Sequence, residues 1–275
     1  MVNLGSIWAK LMPGHGLADA GPAIDVPALD IRGTQLPVIG FGTSGLHGRR
    51  CTAMVQMALK IGYRYIDTAQ AYGNETEVGR GLARSGLPRE EIFLATKFEQ
   101  ANLGAAAVRR EIAASLGRLG TSYVDLLMIH WPSKDIALKE TLTAFAELRE
   151  EGLIRHIGVC NFTLRLLREA VEEHGAELLC NQIEYHPLLA QKTVLPYLQS
   201  QRIAARHGKS TAQIALAWLA SQDLVSAIPK ASSAAHCRAN LEIFDVTLSA
   251  EELAEIAALD RGERVIDPSW APAWD

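Results

Sequence analysis

Short apolar runs alternate with longer amphipathic stretches along almost the whole chain. The runs are Val38–Phe41, Tyr63–Ile66, Glu91–Thr96, Val124–Ile129, His156–Asn161, Leu178–Glu184 and Val225–Pro229. They are rich in β-branched and aromatic residues and are bounded by turn formers, the pattern of strands buried on both faces. Between them, apolar residues recur at helical spacing over 52–61, 76–85, 105–119, 138–151, 163–173 and 193–199. Gly152 stops the fourth of these helices. Ser210-Thr211-Ala212-Gln213 and Ser249-Ala250-Glu251-Glu252 are capping boxes that open helices to about residues 221 and 259. Leu29–Leu36 reads as a hairpin with Gly33 in its turn. Strand–helix alternation of this kind predicts a parallel sheet covered by helices.

The length, 275 residues, suits an α/β chain folded as one (β/α)8 TIM barrel, expected over 25–275. Residues 1–24 carry Pro and Gly without a sustained period and read as an irregular extension. One strand–helix unit is short of the count. A unit takes about 30 residues, yet between the helix near Thr193 and the cap at Ser210 there is only Ser200–Lys209, helical in character and without a strand pattern. Either the barrel is open, or a mobile unit belongs near residue 201. The second is the expectation, because an open parallel sheet exposes edges and apolar surface.

Composition narrows the function classes. Hydrophobic residues make up 48% of the chain, enough for a large core, and the net charge is -4 with no dense Lys/Arg cluster, which disfavours nucleic acid. Cys51, Cys160, Cys180 and Cys237 form no CxxC pair, and no His/Cys cluster has metal-ligand spacing. No apolar run is long enough for a membrane span, and Lys10 interrupts the one apolar stretch near the start. A cytoplasmic monomer acting on small molecules is expected.

Three successive strands end in chemistry. Asp67 follows Tyr63–Ile66, Lys97 follows the strand that ends at Thr96, and His130 follows Val124–Ile129; Tyr72 lies in the loop after Asp67. In a parallel barrel these ends share one rim. Singly, Asp67 could be a turn or capping residue and Tyr72 a half-buried aromatic. Together they have a chemical reading. A nearby ammonium lowers a tyrosine pKa, Asp67 would hold Lys97 charged, and His130 could donate a hydrogen bond to a substrate oxygen. The set suits proton transfer to an oxygen gaining negative charge, as in carbonyl reduction by hydride from a cofactor. No GxGxxG follows a first strand, so a Rossmann site is not expected. A metal hydrolase built on His130 lacks a second rim histidine.

Asp67-Thr68-Ala69 with Tyr72-Gly73-Asn74-Glu75, Thr96-Lys97, His130-Trp131-Pro132, Gly158-Val159-Cys160-Asn161-Phe162, Asn181-Gln182 and Ile228-Pro229-Lys230 occur in that order. With them the chain resembles the aldo-keto reductases, most of all the bacterial branch of the 2,5-diketo-D-gluconate reductases, over roughly residues 27–275. The resemblance implies Tyr72, Lys97, Asp67 and His130 as catalytic residues, and NADPH as cofactor, with NADH modestly weaker. It implies a cofactor site of Gly42, Thr43, Asp67, Cys160, Asn161, Gln182, Lys230, Ser232, Ser233, His236 and Asn240. It also implies a hairpin that plugs the barrel bottom. Ser44, Tyr72, Phe98, His130, Trp131 and Trp270 are expected to line the substrate pocket, and no metal is implied. The chain departs from the family in five places. Ser44 is small where many relatives carry an aromatic, which implies a wider mouth. Cys160 stands where serine is usual, His236 where arginine is usual and Ala239 where glutamate is usual. The family's seventh strand, whose aromatic stacks on the nicotinamide, and the loop that covers the pyrophosphate, are absent. A non-catalytic nucleotide-binding or sensory barrel is the competing reading.

Overall fold

The computed structural model describes residues 21–185, 203–204, 206–258, 264 and 266–274. The helix expected over 193–199 and most of the expected extension lie outside these residues. A two-stranded antiparallel hairpin comes first, β1 (Ala28–Ile31) with β2 (Thr34–Pro37). Its two-residue turn has positive φ at both Arg32 (53°) and Gly33 (82°), the twist that matches flanking strands. Six parallel strands follow in chain order: β3 (Phe41–Gly42), β4 (Tyr65–Asp67), β5 (Phe93–Phe98), β6 (Val124–Ile129), β7 (Ile154–Cys160) and β8 (Leu178–Gln182).

The connections are α1 (Gly48–Ile61), α2 (Glu75–Ser85), α3 (Ala105–Leu119), α4 (Leu138–Glu150) and α5 (Leu164–Arg168), which runs into a π-helical turn, Glu169–Glu173. After β8 the described helices are α6 (Thr211–Ala220), α7 (Ala234–Leu241) and α8 (Ala250–Ala257). Both capping boxes form, at Ser210/Gln213 and Ser249/Glu252. The strand expected over 225–229 is reduced to two parallel bridges on the outer side of β3, Ile39 with Ala227 and Gly42 with Lys230. The sheet curls into a partial barrel with strand-like partners at seven positions. No described helix is long and apolar enough to cross a membrane.

Alternation along the strands divides the core into two layers. Leu126 and Met128 face inward with Tyr65, Ala95 and Cys160; Leu127 and Ile129 face the helices with Val55, Val78, Ile112 and Phe145. Leu36 of the hairpin belongs to the inner cluster, and Thr34 Oγ1 lies 3.3 Å from His156 Nε2.

Behind the rim, Glu75 opens α2 as a buried carboxylate, 2% exposed. It accepts hydrogen bonds from Thr96 Oγ1 (2.6 Å), Ser115 Oγ (3.2 Å) and Arg118 Nε (2.8 Å), tying β5 and α3 to the Tyr72 loop. Removing one partner from such a cluster leaves buried donors unpaired. Because Arg118 is itself part-exposed, Glu75→Ala should cost about 2 kcal/mol. Thermal melting should then fall by roughly 4–8 °C. A shift of less than about 1 °C would show that the cluster carries no net stability.

Candidate active site

The carboxyl ends of the parallel strands meet at a cavity of about 880 Å³. Parity decides what enters it. On β5, Ala95 and Lys97 face the interior, whereas Leu94, Thr96 and Phe98 face the helices. Lys97 is fully buried. Its ammonium donates to Asp67 Oδ1 at 2.5 Å and Thr68 O at 2.9 Å, and lies 3.4 Å from Tyr72 Oη. Asp67 Oδ2 accepts from Gln182 Nε2 at 3.1 Å. The His130 ring meets the Tyr72 ring edge to face, with centroids 5.7 Å apart. Asp67, Tyr72 and His130 line the cavity, with Lys97 sealed beneath them.

Burial pulls the Lys97 pKa down, and the Asp67 carboxylate more than restores it, so the ammonium keeps its charge. Burial and then the Lys97 charge push His130 down to about 4, so its imidazole is neutral near pH 7. Tyr72 differs from expectation. Lys97 does lower its pKa, but burial outweighs that effect and Asp67 adds to the rise, so the phenol sits above its usual value of 10.0.

Ser44, Tyr72, His130 and Trp131 line the cavity. Two expected substrate residues do not. Phe98, one position after Lys97, points to the opposite face and packs edge to face on Phe145. Trp270 is 53% exposed and away from the wall. The neighbouring aromatic of the tail, Trp274, meets Trp131 instead, with ring centroids 6.2 Å apart.

The expected cofactor residues fall into two groups. Gly42, Asp67, Cys160, Asn161, Gln182 and Lys230 line the cavity. Asn161 takes a left-handed φ of 61° and donates to His130 O at 3.0 Å. Thr43 is buried with its hydroxyl on Asp67 O. The second group lies along α7: Ser233 is its N-cap, accepting from His236 N at 3.2 Å, and the His236 side chain is exposed. Ser232 offers its carbonyl to Arg50 Nη2 at 2.9 Å. Asn240 lies beside the Tyr63 phenol, which donates to Cys237 O at 3.2 Å, on the α1 side of the helix. Arg238 turns away from the rim and donates to Pro22 O.

Strand-end reasoning missed the residues that hold this rim from behind. Asn74 is fully buried, donates to Thr43 O and Leu46 O at 2.9 Å each, and accepts from Thr68 Oγ1 at 2.8 Å. Cys180 also lines the wall and lay outside the expected set; its place at the interior parity of a strand was the available signal.

The donor set fits a nicotinamide dinucleotide. Two amide side chains, Asn161 and Gln182, stand in the cavity wall beside Tyr72. Lys230 and the N-terminus of α7 with its Ser233 cap supply positive potential for phosphate further along the rim.

The Aldo/keto reductase family model matches residues 38–201 and 198–261. A methylglyoxal reductase, DkgB, of Escherichia coli O157:H7 is 36% identical over 266 aligned residues, spanning 87% of this chain and 99% of that protein. A crystal structure provisionally assigned as a 2,5-diketo-D-gluconic acid reductase B superposes with a TM-score of 0.85 at 37% identity, covering 91% of this chain and 98% of the other. A Bombyx mori aldo-keto reductase in complex with NADP superposes with a TM-score of 0.82 at 28% identity, covering 90% and 97%. The chain belongs to the aldo/keto reductase family.

Proposed function

We propose that Tyr72, Lys97, Asp67 and His130 are the machinery of an NADPH-dependent reductase that converts aldehydes and ketones to alcohols. One observation carries the assignment: a fully buried ammonium bonded to Asp67 and in reach of a phenol at the cavity surface. When bound, the dihydronicotinamide supplies hydride to the carbonyl carbon. Asn161 and Gln182 hold its carboxamide, and Lys230, Ser232, Ser233 and His236 face its adenosine phosphate. His236 offers fewer donors than an arginine, so NADPH is preferred over NADH by a modest margin.

Tyr72 Oη donates the proton to the carbonyl oxygen as charge builds there. The raised pKa suits this role. The phenol keeps its proton at neutral pH and releases it only to the much stronger base that an incipient alkoxide is. Lys97 then stabilises the tyrosinate, and Asp67 keeps Lys97 charged. Neutral His130 orients the same oxygen with a hydrogen bond. An intact tetrad of this kind argues against a merely nucleotide-binding barrel. For a small two-carbonyl substrate, of the kind named for DkgB, the cavity beside Ser44 is ample.

We also read the chain as one domain over 25–275 that lacks a βα unit near residue 201, with the β1–β2 hairpin plugging the base. The plug is supported by Leu36 in the inner cluster and by the Thr34–His156 contact. Three observations support the missing unit. The family match comes in two pieces that meet at 198–201. The alignment to DkgB has 266 positions against 87% of 275 residues, so about 27 have no counterpart here. Leu216 and Leu219 of α6 line the cavity directly, with no strand between helix and interior among the described residues. These observations favour a chain without the unit over the expected mobile one.

Three measurements test these readings. Tyr72→Phe should lower kcat for a generic aromatic aldehyde by on the order of 10²-fold, read as NADPH consumption. Lys97→Met should fall about as far, and the double variant should fall little further, because the two act as one unit. Near-normal turnover of Tyr72→Phe with cofactor still bound would overturn the proton-donor assignment. In pH profiles at saturating NADPH, kcat should stay flat between about pH 5.5 and 9, since His130 protonates only near 4 and Tyr72 ionises above 10.0. An ionisation near 6.5 that disappears in His130→Gln would contradict this. Finally, peptide mapping of the natural protein should read straight through Ser200–Lys209 with no inserted residues. An insertion of about 30 residues there would restore the missing unit.

A further inference from the structure

Three sulfur atoms converge in the interior below the catalytic rim, one from each of three adjacent strands. Cys160 Sγ of β7 lies 3.7 Å from Met128 Sδ of β6, and Cys180 Sγ of β8 lies 4.0 Å from the same Sδ. Gly158 makes the convergence possible: a Cβ there would sit 3.0 Å from Met128 Cγ and 3.2 Å from Cys180 Sγ. Both cysteines line the cavity, with Cys160 and Met128 buried at its floor. No spacing motif announces it, because its members stand at 128, 160 and 180 and only the strand order joins them.

The spacing has a chemical meaning. Three sulfurs around one ion in a plane, each at about 2.3 Å, stand about 4.0 Å apart, close to the two separations from Met128 Sδ. Thiolate and thioether ligands without nitrogen or oxygen partners select a soft, thiophilic ion. Among the described residues no group of three His, Cys, Asp or Glu side chains offers a competing hard site. We propose that Met128, Cys160 and Cys180 form a binding site for one soft monovalent cation of the copper(I) class, entered through the reductase cavity.

The binding step balances without oxidation. Two thiols release their protons to water, two thiolates and a thioether bind the monovalent ion, and the complex carries one net negative charge. Lys97 favours that charge and Asp67 opposes it at both cysteines. With no ion bound, burial holds Cys160 well above the usual thiol range and Cys180 at about 12, so both thiols stay protonated and slow to oxidise. Cys160 Sγ also lies 3.8 Å from Gln182 Oε1, whose amide nitrogen binds Asp67. Occupation of the sulfur site draws Cys160 toward the ion and disturbs Gln182, so turnover is inhibited as the ion binds.

The test is anaerobic titration of copper(I) into the protein against a chromophoric copper(I) chelator. One equivalent should bind per chain, with sulfur neighbours at about 2.3 Å by X-ray absorption. Cys180→Ser and Met128→Leu, each checked for native circular dichroism and melting, should weaken binding by on the order of 10- to 100-fold. Cys51→Ala/Cys237→Ala, which leaves the cluster intact, should bind as the wild type does. Zinc at the same concentration should not displace the copper(I). Binding unchanged in both Cys180→Ser and Met128→Leu, binding lost in Cys51→Ala/Cys237→Ala, or no stoichiometric binding would each overturn the proposal. None of these readouts depends on the reductase assignment.

Discussion

A buried ammonium is the constraint from which the rest of the structure follows. Lys97 has no exposed surface, and removing its charge from water would favour the neutral amine. Asp67 reverses that preference, so the pair persists only while β4 and β5 stay in register, with Asp67 opposite Ala95. The same carboxylate is shared with Gln182, at the end of a strand that is not a sheet neighbour of β4. That hydrogen bond crosses the barrel interior and links the first half of the rim to the last described strand. A charge pair that must stay paired therefore fixes the rim from side to side.

The loop that carries Tyr72 has little freedom because both ends are anchored by buried polar groups. Thr68 and Asn74 close it upon itself, and Asn74 reaches across to the carbonyls of Thr43 and Leu46. Glu75 then locks the start of α2 to β5 and α3. Tyr72 is thus held by its neighbours in sequence as well as by the contact of its ring with His130, and its phenol lines the cavity. Such backing explains how one residue can lie in a surface cavity and still keep a fixed distance to a buried lysine.

Much of this was readable in the chain. Asp67, Lys97 and His130 each follow an apolar run of strand length, and in a parallel barrel that alone assembles them. The places where reading failed share one cause: each depends on direction or depth, not on position along the strand. Phe98 is one residue from Lys97 and so faces the helices. Asn240 lies one helical turn after His236 yet sits beside Tyr63. The shift of Tyr72 was expected downward from its cation, but its sign is set by how deeply the ring is buried, which no local pattern reports. The capping boxes at Ser210 and Ser249 are local devices and formed as read. The segment 225–229 shows the strand pattern but makes only two bridges, because among the described residues it has a sheet neighbour on one side only.

That one-sided pairing leaves the two flanks of the described sheet apart. On one flank the sheet ends with the bridges of Ala227 and Lys230 to β3, and on the other with β8, whose five residues are all partly exposed. Hydrogen bonding does not join these flanks among the described residues. Among the described residues, what stands between them is α6, Thr211–Ala220, a helix with almost no polar positions beyond its first turn. A helix apolar on all sides requires burial on all sides. Here Leu216 and Leu219 reach the interior cavity, while Ile214 packs with Ile203, Ala204 and Ile256 on the outer side. An ordinary barrel helix covers a strand and needs one apolar stripe. A helix asked both to line the interior and to support the outer layer needs two, and the sequence of α6 meets that demand.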